Sequence, residues 1–261
     1  MATNWKYYIP HNELFSATLT ATTGTSSTLA NIQNVRRYSR MDVDTVAGTG
    51  SDEFKFRVDY GAGVTKSGEF IALLNHNLYT ETCNLYVYVD ATDNSALATP
   101  LAALNVQAAT SADSPIWVEE IVTGYTKRYW WPLFDSIAAT AYCGICLLGD
   151  VLNPTPDPNW ESPIEIDIES GRIINTTPAG VQWITRTSEK ANGFAVRYEV
   201  ITTAQKDEIV DALFAYPDNP FVFTNDGGTT YYYGRVFGNP VLTPIQADLW
   251  NLEFTIQEAV A

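Results

Sequence analysis

The chain has 261 residues, of which 46% are hydrophobic, 13% aromatic and only 17% charged. That is material for one large or two moderate β-rich domains rather than for long solvent-exposed helices. Its formal net charge of −15 argues against partners with phosphate backbones or anionic lipid, which would repel it. The start, Met1-Ala-Thr-Asn-Trp-Lys6, lacks the features of a signal peptide, and no segment approaches the ~20 apolar residues of a membrane span. Synthesis in the cytoplasm is the expectation.

In chain order, the first segment, Trp5-Lys-Tyr-Tyr-Ile-Pro10, is aromatic and poorly periodic, and residues 17–22 read as an edge strand. Phe54, Phe56, Val58 and Tyr60 then alternate with Lys55, Arg57 and Asp59, the period of a strand with one buried face. Phe70-Ile-Ala-Leu-Leu-Asn-His-Asn-Leu78 is a continuous apolar run, expected to be a central strand covered on both faces. It ends on Asn75, His76 and Asn77, read as a structural turn because Asn bonds nearby backbone and tolerates left-handed conformations. Residues 84–90, 115–122, 127–134 and 142–148 supply further strands. About seven short strands with turn signals between them predict a β-sandwich.

Asn153-Pro-Thr-Pro-Asp-Pro158 breaks the pattern. Prolines at alternate positions cannot join a sheet ladder and favour a stiff connector. The predicted organisation is a sandwich over 1–152, a Pro-rich linker over 153–159, and a smaller β-rich assembly domain over 160–261. In that last part, residues 163–169, 180–186 and 193–200 read as strands. Thr202-Thr-Ala-Gln205 has capping-box form and predicts a helix near 203–216, with Ile209, Val210, Leu213 and Phe214 on one face and Pro217 as its stop. Asp226-Gly-Gly228 marks a hairpin, and Trp250, Leu252, Phe254 and Ile256 alternate in a final strand.

Catalytic patterns are sparse. There are two histidines, His11 and His76, and the sequence has no nucleophile elbow, phosphate loop, dinucleotide fingerprint or H-E-x-x-H. His76 needs a partner to act as a base, and bonding to backbone at the turn is the favoured reading. Glu119 with Glu120, or Asp42 with Asp44, can be cast as glycosidase carboxylates, but thirty acidic residues make such pairs inevitable. The stretch 90–94 offers oxygen ligands for calcium yet departs from an EF-hand loop and reads as a solvated turn. Of Cys83, Cys143 and Cys146, the last two have C-x-x-C spacing but lie in a strand with no second ligand pair, so all read as small buried hydrophobes. No catalytic residue, cofactor or metal is assigned. Trp5, Tyr7, Tyr8, Trp130, Trp160 and Tyr232 are the interface candidates, because aromatics that alternation leaves exposed suit stacking or protein contacts.

The run at 70–78, the strand Asn84-Leu-Tyr-Val-Tyr-Val89, Arg128-Tyr-Trp-Trp131 and Cys143-Gly-Ile-Cys-Leu-Leu-Gly149 before a Pro-rich stretch together resemble bacteriophage tail structural proteins. So do Pro220-Phe-Val-Phe223, Tyr233-Gly-Arg-Val236 and the strand ending at Gln257-Glu258. Asn75 stands where that family often has Gly. The resemblance implies a mainly β chain with a galactose-binding-like jelly roll followed by a smaller β-rich domain with one α-helix. It further implies a non-enzymatic virion subunit of the distal tail, tail tip or baseplate. Its expected partners are other tail proteins and further copies of itself in a ring-forming homo-oligomer. The alternative is a carbohydrate-binding or receptor-recognition module contacting a host-surface glycan, with a glycosidase a distant third.

Overall fold

In the computed structural model the described residues are 5–34, 40–43, 53–80, 83–93, 102–107, 115–121, 125–137, 141–158, 172–176, 182–186 and 193–258. They fall into two compact units, one spanning Tyr8–Val151 and the other combining Met1–Tyr7 with Leu152–Val260. The strands run β1 (Lys6–Pro10), β2 (Thr18–Thr23), β3 (Met41–Asp42), β4 (Phe54–Asp59), β5 (Phe70–His76), β6 (Asn84–Asp90), β7 (Ala102–Gln107), β8 (Ile116–Glu120), β9 (Tyr129–Asp135) and β10 (Tyr142–Leu152). They continue with β11 (Arg172–Thr176), β12 (Gln182–Arg186) and β13 (Gly193–Thr202), then helix α1 (Thr203–Phe214), β14 (Phe221–Thr224), β15 (Tyr232–Gln246) and β16 (Leu249–Glu258). The fold is a β-sandwich plus a β-rich unit, with one α-helix among the described residues.

In the Tyr8–Val151 unit one antiparallel sheet has the order β2-β4-β9-β6-β7. The other has the order β10-β5-β8, with β3 also on β10. Alternation decides the inward faces: Phe54, Phe56 and Val58 of β4, Leu85, Val87 and Val89 of β6, and Trp130 and Phe134 of β9 are buried. β5 is buried at every residue from Phe70 to Leu74, as an uninterrupted apolar run requires. Gly68 lets Trp130 close down, since a Cβ there would lie 2.1 Å from the indole ring.

In the second unit the sheet order is β13-β16-β15-β14, and β11 pairs with β12. The Thr202 hydroxyl accepts the Gln205 N–H at 3.3 Å while Gln205 Oε1 accepts the Thr202 N–H at 2.8 Å, so the capping box is formed from both sides. α1 buries Ile209 and Leu213 and sets Phe214 edge-on to Phe254 with ring centres 5.5 Å apart. Trp5 stacks on Phe223 at 6.1 Å, and the hydroxyls of Tyr7 and Tyr198 share a 2.9 Å hydrogen bond.

Three features differ from the sequence reading. Residues 5–10 lack clean periodicity because most of β1 is buried, yet Lys6–Pro10 form a strand, and residues 5–7 belong with the C-terminal unit. β3 and β7 carry too weak a pattern to be seen. β15 runs on to Gln246 although Pro240 and Pro244 read as strand breakers; an edge position tolerates the missing N–H groups. The strand predicted over 163–169 lies outside the described residues, and residues 153–158 carry neither helix nor strand.

Candidate functional site

Most of the aromatic candidates serve the cores. Trp5, Tyr7, Tyr8 and Trp130 are at most 3% exposed, so none presents a surface; this corrects their assignment as interface residues. Strand alternation alone cannot tell which face of an aromatic-rich strand is covered by a second layer. Tyr8 directs its hydroxyl to Glu120 at 2.8 Å and its ring edge-on to Phe70. Tyr232 is half-buried, wedged between Phe223 and Phe194. Trp160 lies outside the described residues.

The end of β5 is held by backbone bonds. Asn75 has a φ of 52° and donates its N–H to the Pro115 carbonyl. His76 is buried and its Nδ1 accepts the Leu78 N–H at 3.3 Å. Asn77 Oδ1 accepts the Tyr142 N–H at 2.8 Å. Of these bonds, only that of the Asn77 side chain ties the strand end to a neighbouring strand; Asn75 bonds through its backbone and His76 bonds the chain two residues on.

Groups of catalytic type are arranged for structure. His11 Nε2 donates to the Ser67 carbonyl at 2.6 Å, while the Ser67 hydroxyl donates to Asp150 at 2.5 Å. The hydroxyl is therefore not aimed at the imidazole, and these three residues make no nucleophile–base pair. Glu119 and Glu120 are adjacent on β8 and point to opposite faces; burial, then the neighbouring Glu120, pushes the Glu119 carboxyl above its usual range. Asp44 lies outside the described residues. Asp90 accepts the N–H and hydroxyl of Thr92 and Asp93 pairs with Arg57. Among the described residues no cluster of His, Cys, Asp and Glu is set to hold a metal. The three cysteines are free and buried, and burial pushes the Cys143 thiol up to about 12.

What remains is a surface. Among the described residues the exposed large hydrophobics are Tyr79, Val200, Tyr216, Phe237, Val241, Leu242 and Ile245. Four of these lie on β15, and Val200 on β13. β15 is hydrogen-bonded to β14 only as far as Gly234; beyond that its one partner among the described strands is β16. Glu253 of β16 is opposite both Arg197 and Val241, and Thr255 is opposite both Ala195 and Phe237. Cross-strand partners share a face, so these residues form one solvent-facing side of the sheet, shaped into a groove of about 480 Å³. On its floor the Arg197 guanidinium sits 3.0 Å from Glu253 and 3.2 Å from Glu199. The sequence signal for this surface is the stretch Phe237-Gly-Asn-Pro-Val-Leu-Thr-Pro-Ile-Gln246, which carries no charged residue.

No protein-family model matches the chain, and no curated protein matches its sequence. Among solved structures, similarity is found to chitosan-binding module 1 of a Paenibacillus sp. IK-5 chitosanase/glucanase, with 15% identity and a TM-score of 0.40 over 54% of this chain and 99% of that one. A Streptococcus pneumoniae fucose binding module is similar at 8% identity and a TM-score of 0.39, over 54% and 98% of the two chains. The lectin domain of Lectinolysin, complexed with Lewis B antigen, gives 12% identity and a TM-score of 0.39 over 53% and 95%. Likenesses this distant, over about half the chain, assign neither ligand nor site residues to it.

Proposed function

We propose that the chain is a structural subunit that works by protein–protein assembly, as its resemblance to bacteriophage tail proteins implies, and that its place is the distal tail, tip or baseplate of a virion. The observation that carries this reading is the uncharged, exposed apolar stretch of β15. In a chain of net charge −15, a ten-residue stretch of β15 with no charge and with Phe237, Val241, Leu242 and Ile245 about half exposed is costly to leave in water. Exposed apolar side chains gathered on one strand point to a contact site, and burial returns roughly 25 cal/mol per Å². On this reading the protein is not an enzyme.

The second reading is glycan or receptor recognition by the sandwich unit. It is favoured by Tyr79, the one exposed large aromatic of that unit among the described residues, since aromatic rings stack on apolar ligand faces. Native mass spectrometry and light scattering up to about 100 μM, where contacts worth roughly 5.5 kcal/mol are populated, separate the two. Assembly predicts defined oligomers. A chain that stays monomeric and is captured on a glycan array, with capture abolished in Tyr79→Ala, supports the second reading instead.

A further inference from the structure

We infer that the groove on the β13-β16-β15 face receives the β15 edge of a second copy of this chain, in a head-to-tail contact. The inference deepens the assembly reading and rests on it. The groove selects its occupant by charge. Arg197 is already flanked by Glu199 and Glu253, leaving one carboxylate in excess, so an acidic segment is repelled. Phe237 and Val241 on one side and Ala195 with Thr255 on the other favour an uncharged apolar segment. The chain carries such a segment itself, at residues 237–246. With a net charge of −15 two copies repel on average, and an uncharged contact segment adds nothing to that repulsion.

Register decides that the occupant comes from another molecule. Val241 is opposite Glu253 on the groove side, whereas Leu242 is opposite Leu252, and successive strand residues point to opposite faces. Leu252 is fully buried, on the face that also carries Phe254, against which α1 sets Phe214. The Leu242 ridge therefore faces away from its own groove. Pro240 and Pro244 remove N–H donors along this strand, so the contact is made by side chains rather than by adding a strand to the ladder. A ridge and a groove that are different surfaces of one chain make a heterologous interface, which closes into a ring or continues as a filament.

The test uses two variants of the full chain, each checked for folding by circular dichroism. The ridge variant is Leu242→Asp. The groove variant is Phe237→Asp, with Ala195→Trp as a second version that fills the groove without adding charge. The wild type is expected to self-associate. Each variant alone is expected to self-associate at least about tenfold more weakly than the wild type, the loss that goes with one large apolar side chain kept out of the interface. Mixed one to one, ridge and groove variants should give a heterodimer and nothing larger, because one intact ridge then meets one intact groove.

A mixture that stays monomeric overturns the head-to-tail contact. Variants that self-associate like the wild type place the contact elsewhere, which overturns this inference but leaves the assembly reading standing. A wild type that is monomeric throughout overturns the inference, and capture of that monomer on a glycan array overturns the assembly reading as well.

Discussion

Replacing Trp130 by Ala distinguishes a core residue from a binding platform. The indole is 1% exposed, rests against Gly68, and donates its Nε1–H to the Lys127 carbonyl at 3.2 Å. Truncating a buried Trp costs about 3–5 kcal/mol, and leaving that carbonyl without its donor adds about 1 kcal/mol. At roughly 4 °C per kcal/mol for a unit of this size, the sandwich transition should fall by about 15–25 °C. Since single domains hold only about 5–15 kcal/mol, the variant should be near unfolding at room temperature. Urea titration followed by far-UV circular dichroism resolves this, with two transitions expected if the units unfold separately and only the sandwich transition moved. Trp130→Phe, which retains an aromatic ring, should lose less than half as much. A Trp130→Ala chain within about 0.5 kcal/mol of wild type that nonetheless forms no oligomers or captures no glycan would refute the core assignment.

Thr202→Ala removes the reciprocal cap of α1 and should lower the stability of the second unit by about 1 kcal/mol, read from its urea midpoint, with Thr202→Ser close to wild type. The Arg128 guanidinium bonds Asp59 at 2.7 and 2.9 Å and, helped by the Gly61 N–H, holds that carboxyl below the usual aspartate range. The stabilisation is therefore complete above the unfolded value of about 4 and disappears as pH falls through the lowered folded value. Asp59→Asn should be less stable at neutral pH and show a flatter decline on acidification, followed as the urea midpoint against pH. The buried thiols of Cys143 and Cys146 are raised by burial, so they should resist a thiol reagent at about pH 8 in the native protein and react once urea unfolds it; rapid native labelling of both would contradict their burial.

Much of this molecule is legible in the chain because local rules and tertiary needs coincide. β4, β6 and β16 alternate because one face of each meets a core, β5 is apolar from Phe70 to Leu74 because both faces are buried there, and Thr202 with Gln205 announces α1 by satisfying amides that any helix start leaves open. Asn75 and His76, read as part of a turn, are instead the last two residues of β5, with His76 opposite Cys143, and the turn itself follows at 78–80. The surface is not legible in the chain. Trp5, Tyr7, Tyr8 and Trp130 look like contact residues in sequence, and which of them water reaches depends on what lies across the sheet, information held by residues far away in the chain. Conversely, Pro240 and Pro244 disguise the end of β15 as a loop, and only the register against β16 puts Val241 beside Arg197 and turns Leu242 away. Residue pattern was thus enough for a β-rich chain, the faces of its strands and its one described helix. Which apolar residues end up inside and which stay in water was settled only by the packing of one element on another, because burial is a property of pairs of elements and not of any one of them.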